Sequence, residues 1–329
     1  MKNLFLCMIV VLALSAVPAF GNFYWTNSQG DNNLANPLNY SGTGTTAIFT
    51  LEGADKAVLS AGDSADFLWD RNVSIGRSDA VATGNGEVEI HGSTISFSRA
   101  LRLGDNGYNG TLLMTAGTMT AGRAANIGQG AGSTGIWNFQ GGTFNAPDAA
   151  YDVDVARPGA TGVLNMSGSA AMNVAGKFLM LSGGASVNMS DDAVINAGQL
   201  YLNGGGLMTL SDDAAVNIAG GVSEVATFDF AAAFGGLINW DAVLGKIAFN
   251  GGSFAVAGAG ETLGGNYIDF AALLNAAIGN GVIYTDVAGM SVVAQYDAVD
   301  NFTALALVPE PATLVLLGLG SLTLLRKRK

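Results

Sequence analysis

Between residues 86 and 219 one pattern recurs six times: a glycine followed by apolar residues at every second position. The units are GEVEIHGSTISF (86–97), GTLLMTAGTMTA (110–121), GIWNFQGGTFNA (135–146), GVLNMSGSAAMNV (162–174), GASVNMSDDAVINA (184–197) and GLMTLSDDAAVNIA (206–219). Equivalent apolar positions fall at Ile90, Met114, Phe139, Met166, Met189 and Leu210, in steps of 24, 25, 27, 23 and 21 residues. Further short strands lie between them, in VSIG (73–76), LRLG (101–104), ANIG (125–128) and LYLNG (200–204). Period-two alternation broken by turn residues is the mark of strands, and one such unit has no partner for its apolar face. Stacked units supply that partner at about 4.8 Å per coil. A repeat in the low twenties is too short for a propeller blade, which needs about 40 residues. The spacing therefore predicts a right-handed parallel β-helix, against the competing picture of a β-sandwich of hairpins.

Composition fits that architecture. Gly accounts for 47 of 329 residues, 49% are hydrophobic and only 12% are charged. With 6 prolines and no G-X-Y period, collagen and Pro-rich disorder are poor readings. The formal net charge is −12, and the cations are unevenly placed. Residues 22–307 hold nine cations against 25 acids, so 9 − 25 leaves −16. That balance argues against nucleic acid, which demands phosphate-neutralising cations. No metal or organic cofactor is required by any motif, and an acidic surface is compatible with Ca²⁺ or simply with solubility.

The N-terminus has the build of an export signal. Lys2 precedes the apolar stretch LFLCMIVVLALSAV, and small residues in PAFG place cleavage after Ala19 or Gly21. Signal peptidase and the general secretion machinery are then partners. The single cysteine, Cys7, lies inside this segment, so the exported chain has no disulfide and its rigidity comes from packing. The expected organisation is a signal peptide at 1–21, N-terminal capping strands at 22–72, β-helix repeats at 73–222, a C-terminal α+β cap at 223–307 and a tail at 308–329. Phe23, Tyr24, Trp25 and Tyr40 are placed to plug the open end of the stack, or to form a sugar-binding platform. The spacing from Trp25 to the Asn-aromatic step at Asn39-Tyr40 resembles the openings of autotransporter-like, secreted β-helix proteins. In the C-terminal region, Phe270, Leu273, Leu274 and Ala277 share one helical face.

Chemistry-bearing residues are few. Asp191-Asp192 and Asp212-Asp213 stand 21 residues apart in SDDAVINA and SDDAAVNIA, so one coil stacks the pairs. Stacked carboxylates repel unless cations or water separate them, which makes them candidate Ca²⁺ ligands; the alternative is an exposed turn that suits Asp. His91 is the single histidine, next to Gly92 at a predicted turn, and no G-x-S-x-G elbow surrounds any serine. Because β-helices include polysaccharide lyases and glycosidases, the acids of YDVDVARPG (Asp152 and Asp154, beside Arg157) and nearby Asp148 are the residues an enzyme would use. The expectation is nonetheless a non-enzymatic protein.

The chain ends in VPEPATLVLLGLGSLTLLRKRK. Its apolar run, Ala312 to Leu325, has 14 residues, and at 1.5 Å per residue spans roughly 21 Å, short of the roughly 30 Å hydrocarbon core. A tail anchor is one reading. Pro309-Glu310-Pro311, an apolar helix and the cluster Arg326, Lys327, Arg328 and Lys329 follow in order, and this tripartite ending resembles the PEP-CTERM protein-sorting signal. The resemblance implies an exosortase substrate, held transiently in the inner membrane and processed near the PEP step by a transpeptidase-like cysteine protease. The basic cluster would stay on the cytoplasmic side. The implied protein is a surface or matrix component, structural or adhesive, working within extracellular polysaccharide.

Overall fold

A computed structural model describes residues 21–25, 29, 40–42, 44–49, 57–60, 72–78, 83–202, 206–218, 246–250, 253–263 and 266–310. These residues form a parallel β-solenoid with about 5 regular turns. Each turn lays one strand on each of three faces. The first face runs through Ala57–Leu59, residues 86–90 and 109–114, Thr134–Phe139, Thr161–Met166, Ala185–Met189, Leu207–Leu210, Lys246–Phe249 and Ile283–Tyr284, every neighbour parallel. The second face continues from residues 94–97 to Ser253–Ala257. The third begins at Gly21–Trp25 and Gly44–Phe49 and passes through Asn72–Ile75, Leu101–Leu103, Ala125–Ile127 and Val153–Val155 to residues 199–202. Parallel pairing thus includes strands on both sides of the 73–222 repeat.

Alternation explains the core. On the first face, Ile90, Met114, Phe139, Met166, Met189 and Leu210 are register partners in one unbroken column, which Leu59 and Phe249 extend at its ends. All are buried, from 0% to 2% exposed. The column beside it includes Val88, Leu112, Trp137, Leu164, Val187, Met208 and Ile247. Trp137 stacks on Phe139 at 5.4 Å and meets Phe144 edge-on at 5.0 Å, joining the first face to the second. A one-residue slip would turn every one of these side chains outward, so the register is strongly specified.

The parallel order gives way near the C-terminus. Phe302–Pro309 pairs antiparallel with both Ser253–Ala257 and Met290–Asp297. The helix Phe270–Gly279 buries Phe270, Leu273, Leu274 and Ala277, the face its spacing predicts. Its N-cap Asp269 accepts a hydrogen bond from Ala272 N at 2.9 Å. The segment 1–20, where the export signal is expected, lies outside the described residues. So do the side chains of Phe23, Tyr24, Trp25 and Tyr40.

Candidate functional site

The tail is joined to the body without a spacer. The hairpin Met290–Asp297/Phe302–Pro309 is closed by Asp297, whose Oδ1 accepts from Val299 N at 2.8 Å, and by the Tyr296 hydroxyl donating to Asn301 Oδ1 at 3.0 Å. Its far end is Pro309, partnered with Met290, and Glu310 N donates to Gly289 O at 3.0 Å. Pro309 and Glu310 are both exposed. Pro311 and the Arg326–Lys329 cluster lie outside the described residues, as does the apolar run between them. Among the described residues no helix is long and apolar enough to cross a membrane.

A second polar feature was not anticipated from the sequence. On the third face the outward positions Ser74, Arg102, Asn126 and Asp154 are successive register partners. Three of them are buried although they point away from the core: Ser74 is 0%, Asn126 4% and Asp154 3% exposed. Two residues further on in each coil the backbone has positive φ (Gly76 70°, Gly104 67°, Gly128 77°, Ala156 54°), which reverses the chain. The turns are pinched, since a Cβ on Gly104 would lie 2.3 Å from Thr134 O and one on Gly128 2.2 Å from Thr161 O. Behind them comes a second column, Arg77, Asp105, Gln129 and Arg157, stitched by Asp105 N to Gly76 O, Gln129 N to Gly104 O and Arg157 N to Gly128 O, all at 2.9 Å.

Charge is unequally satisfied in these two columns. Arg157 donates to Asp154 Oδ2 through Nε at 2.8 Å and Nη2 at 2.6 Å, and Arg77 Nε stands 3.7 Å from Asp105 Oδ2. Arg102 has no hydrogen-bond or ion-pair partner among the described residues. Burial pulls its pKa below the usual arginine value; Asp105 opposes that shift, while Arg77 and Arg157 add to it. Burial likewise pushes Asp154 up, against the hydrogen bond and charge of Arg157. Ser74 Oγ, Arg77 Nε, Arg102 Nε, Asn126 Oδ1 and Gln129 Oε1 are buried without a hydrogen-bond partner. Buried polar atoms are nearly always paired, so five such atoms in adjacent columns mark this as the polar region most in want of partners.

The paired aspartates have a backbone role. Asp191 and Asp212 take φ of 55° and 54°, as Gly168 does at 57° one coil earlier. Asp191 Oδ2 accepts from Gly168 N at 2.9 Å and Asp212 Oδ2 from Asp191 N at 3.5 Å, so each carboxylate reaches the turn of the preceding coil. Asp192 and Asp213 are exposed. Among the described residues no group of three or more His, Cys, Asp or Glu is arranged to hold a metal ion. Beside these turns run two columns of outward asparagines. Asn188 and Asn165 donate in sequence to Asn165 and Asn138, while Asn217, Asn196 and Asn173 donate in sequence to Asn196, Asn173 and Asn145, each at 2.9 Å. The sequence carried the signal in NF, NM and NM and in FNA, MNV, INA and VNI, where Asn keeps one place beside the core residue.

The remaining candidates are engaged locally. His91 lies between Thr115 Oγ1 (2.8 Å from Nδ1) and Glu89 Oε2 (3.1 Å from Nε2), on adjoining coils. Asp148 Oδ1 accepts from Ala150 N at 2.9 Å and Asp152 Oδ1 from Lys177 N at 3.0 Å. Asp154 is the one acid of that stretch brought to Arg157.

The described body therefore defines a β-solenoid whose last strand leads directly into a sorting sequence. The family model described as the PEP-CTERM protein-sorting motif matches residues 307–329, so the chain carries the signature of an exosortase-sorted surface protein. The motif makes exosortase the sorting partner and supports export with a membrane-anchored precursor at the cell surface. No curated protein and no solved structure matches the chain.

Proposed function

We propose that this protein is a non-enzymatic structural or adhesive component of the bacterial surface that associates with extracellular polysaccharide. The observation that carries the reading is the junction of a long solenoid, through its terminal antiparallel hairpin, to the sorting motif at Leu307. A stack whose core column runs from Leu59 to Phe249 is a stiff rod, suited to spacing or scaffolding rather than to turnover. Within this reading, residues 22–72 and 223–307 close the two ends of the rod. The acidic body, at −16 over residues 22–307, keeps the rod soluble.

Replacing Pro309, Glu310 and Pro311 together with alanine is expected to leave full-length, membrane-held precursor in cells that contain exosortase. The wild-type chain should be shortened and recovered with the cell-surface polysaccharide fraction. Normal maturation of the triple variant would refute the sorting step, and wild-type protein absent from the polysaccharide fraction would refute the association.

A further inference from the structure

We propose that Arg102, flanked by Arg77 and Arg157, is the anion-binding centre of a carbohydrate site on the third face of the solenoid, and that it takes sugar residues bearing a carboxylate. The inference rests on the extracellular setting drawn above and specifies which glycan chemistry the rod would meet. Residues 22–307 contain nine cations, and three of them gather here. Arg77 and Arg157 face Asp105 and Asp154, which leaves Arg102 as the cation without a partner among the described residues. Of its guanidinium nitrogens only Nε is shut from solvent, so the two terminal nitrogens face outward without a bond. A planar guanidinium fork matches a carboxylate through two parallel hydrogen bonds.

The neighbours narrow the class. Asn126 Oδ1 and Gln129 Oε1 are buried acceptors that need donors, which a bare anion does not supply. A rotation of the half-buried Gln129 side chain brings its Oε1 to the surface, where a hydroxyl next to a sugar carboxylate can donate to it. The columns advance by one coil, about 4.8 Å, per step, so a saccharide chain lying along the axis would meet successive polar positions.

The full chain, purified in detergent, should be titrated by calorimetry with a uronate trisaccharide, with the neutral trisaccharide of the same linkage obtained by carboxyl reduction, and with acetate. The uronate trisaccharide is expected to bind at least about tenfold more tightly than either control, as one charge-assisted bidentate contact warrants. Arg102→Gln should lose about tenfold to a hundredfold in affinity while its Tm stays at or above that of the wild type, because an unpaired half-buried cation has been removed. Arg102→Lys keeps the charge and loses the fork, so it should fold and bind more weakly. Equal binding of the neutral sugar, equal binding of acetate, no binding by the wild type, or undiminished binding by either variant would each overturn the site. So would an Arg102→Gln chain that unfolds, since that outcome makes Arg102 a structural residue. Tail processing is read separately and does not depend on any of these results.

Discussion

Pro309 lies directly opposite Met290 at the end of the terminal hairpin, and the next amide, Glu310 N, donates to Gly289 O at 3.0 Å. The matched sorting motif begins at Leu307, so its first three residues belong to a paired strand. If the chain is processed near the PEP step as proposed, the segment enters the protease as extended chain and the end of this hairpin is expected to open first.

That requirement can be tested with a staple. Ser291 and Val308 are register partners, at a separation that antiparallel pairs share with disulfides. Since Cys7 is the single native cysteine and lies in the segment expected to be removed on export, the pair Ser291→Cys/Val308→Cys should have no competitor in the mature chain. Oxidised, the double variant should accumulate as precursor, and reductant should restore processing. Processing at the wild-type rate with the disulfide formed would show that the hairpin end need not open.

The asparagine columns make a graded prediction. Asn196 both donates to Asn173 and accepts from Asn217, whereas Asn217 donates only to Asn196. At about 1 kcal/mol net per hydrogen bond, Asn196→Ala should cost about twice as much as Asn217→Ala, roughly 2 against roughly 1 kcal/mol. Chemical denaturation of the two variants measures the difference, and equal costs would mean that the column does not act as a chain of bonds.

Asp154 predicts a pH effect with a definite sign. Burial raises its pKa above the usual 3.8, so the folded state holds this proton more tightly than the unfolded chain does. The stabilisation is therefore present in full below the unfolded pKa and is lost as pH rises through the folded one. Asp154→Asn has no such proton. The Tm of the wild type minus that of Asp154→Asn should fall between about pH 3 and about pH 7. A difference that grows across this range would contradict the dominance of burial over Arg157.

Gly128 tests the pinched turn. With φ at 77° and a Cβ position 2.2 Å from Thr161 O, Gly128→Ala combines left-handed strain with a backbone clash and should cost more than about 2 kcal/mol. Gly132→Ala, with similar φ of 73° but open space around it, should cost about half as much. Thermal unfolding of both variants separates strain from clash.

The parts of this protein that could be read in advance are those set by local periodicity. Ile90, Met114, Phe139, Met166, Met189 and Leu210 announced both the strands and their stacking, because alternation fixes the buried face and the glycine marks the register. The helical face of Phe270, Leu273, Leu274 and Ala277 was legible for the same reason, and the tail because its three parts are contiguous. The 21-residue offset of the aspartate pairs was visible too, yet the bonds from Asp191 to Gly168 N and from Asp212 to Asp191 N depend on where neighbouring turns come to rest.

What the linear chain determined by itself is thus the solenoid, its core columns and its sorting ending: each is encoded in neighbours or in a repeat. Only the tertiary structure decided that Ser74, Asn126 and Asp154, outward by alternation, would be buried under their own turns, with Arg102 half-buried among them, beside Arg77, Asp105, Gln129 and Arg157. Burial at an outward position is set by how the coils and their loops stack, and a polar side chain's partners are chosen across coils by distance. Neither quantity is local to the sequence that supplies the residue.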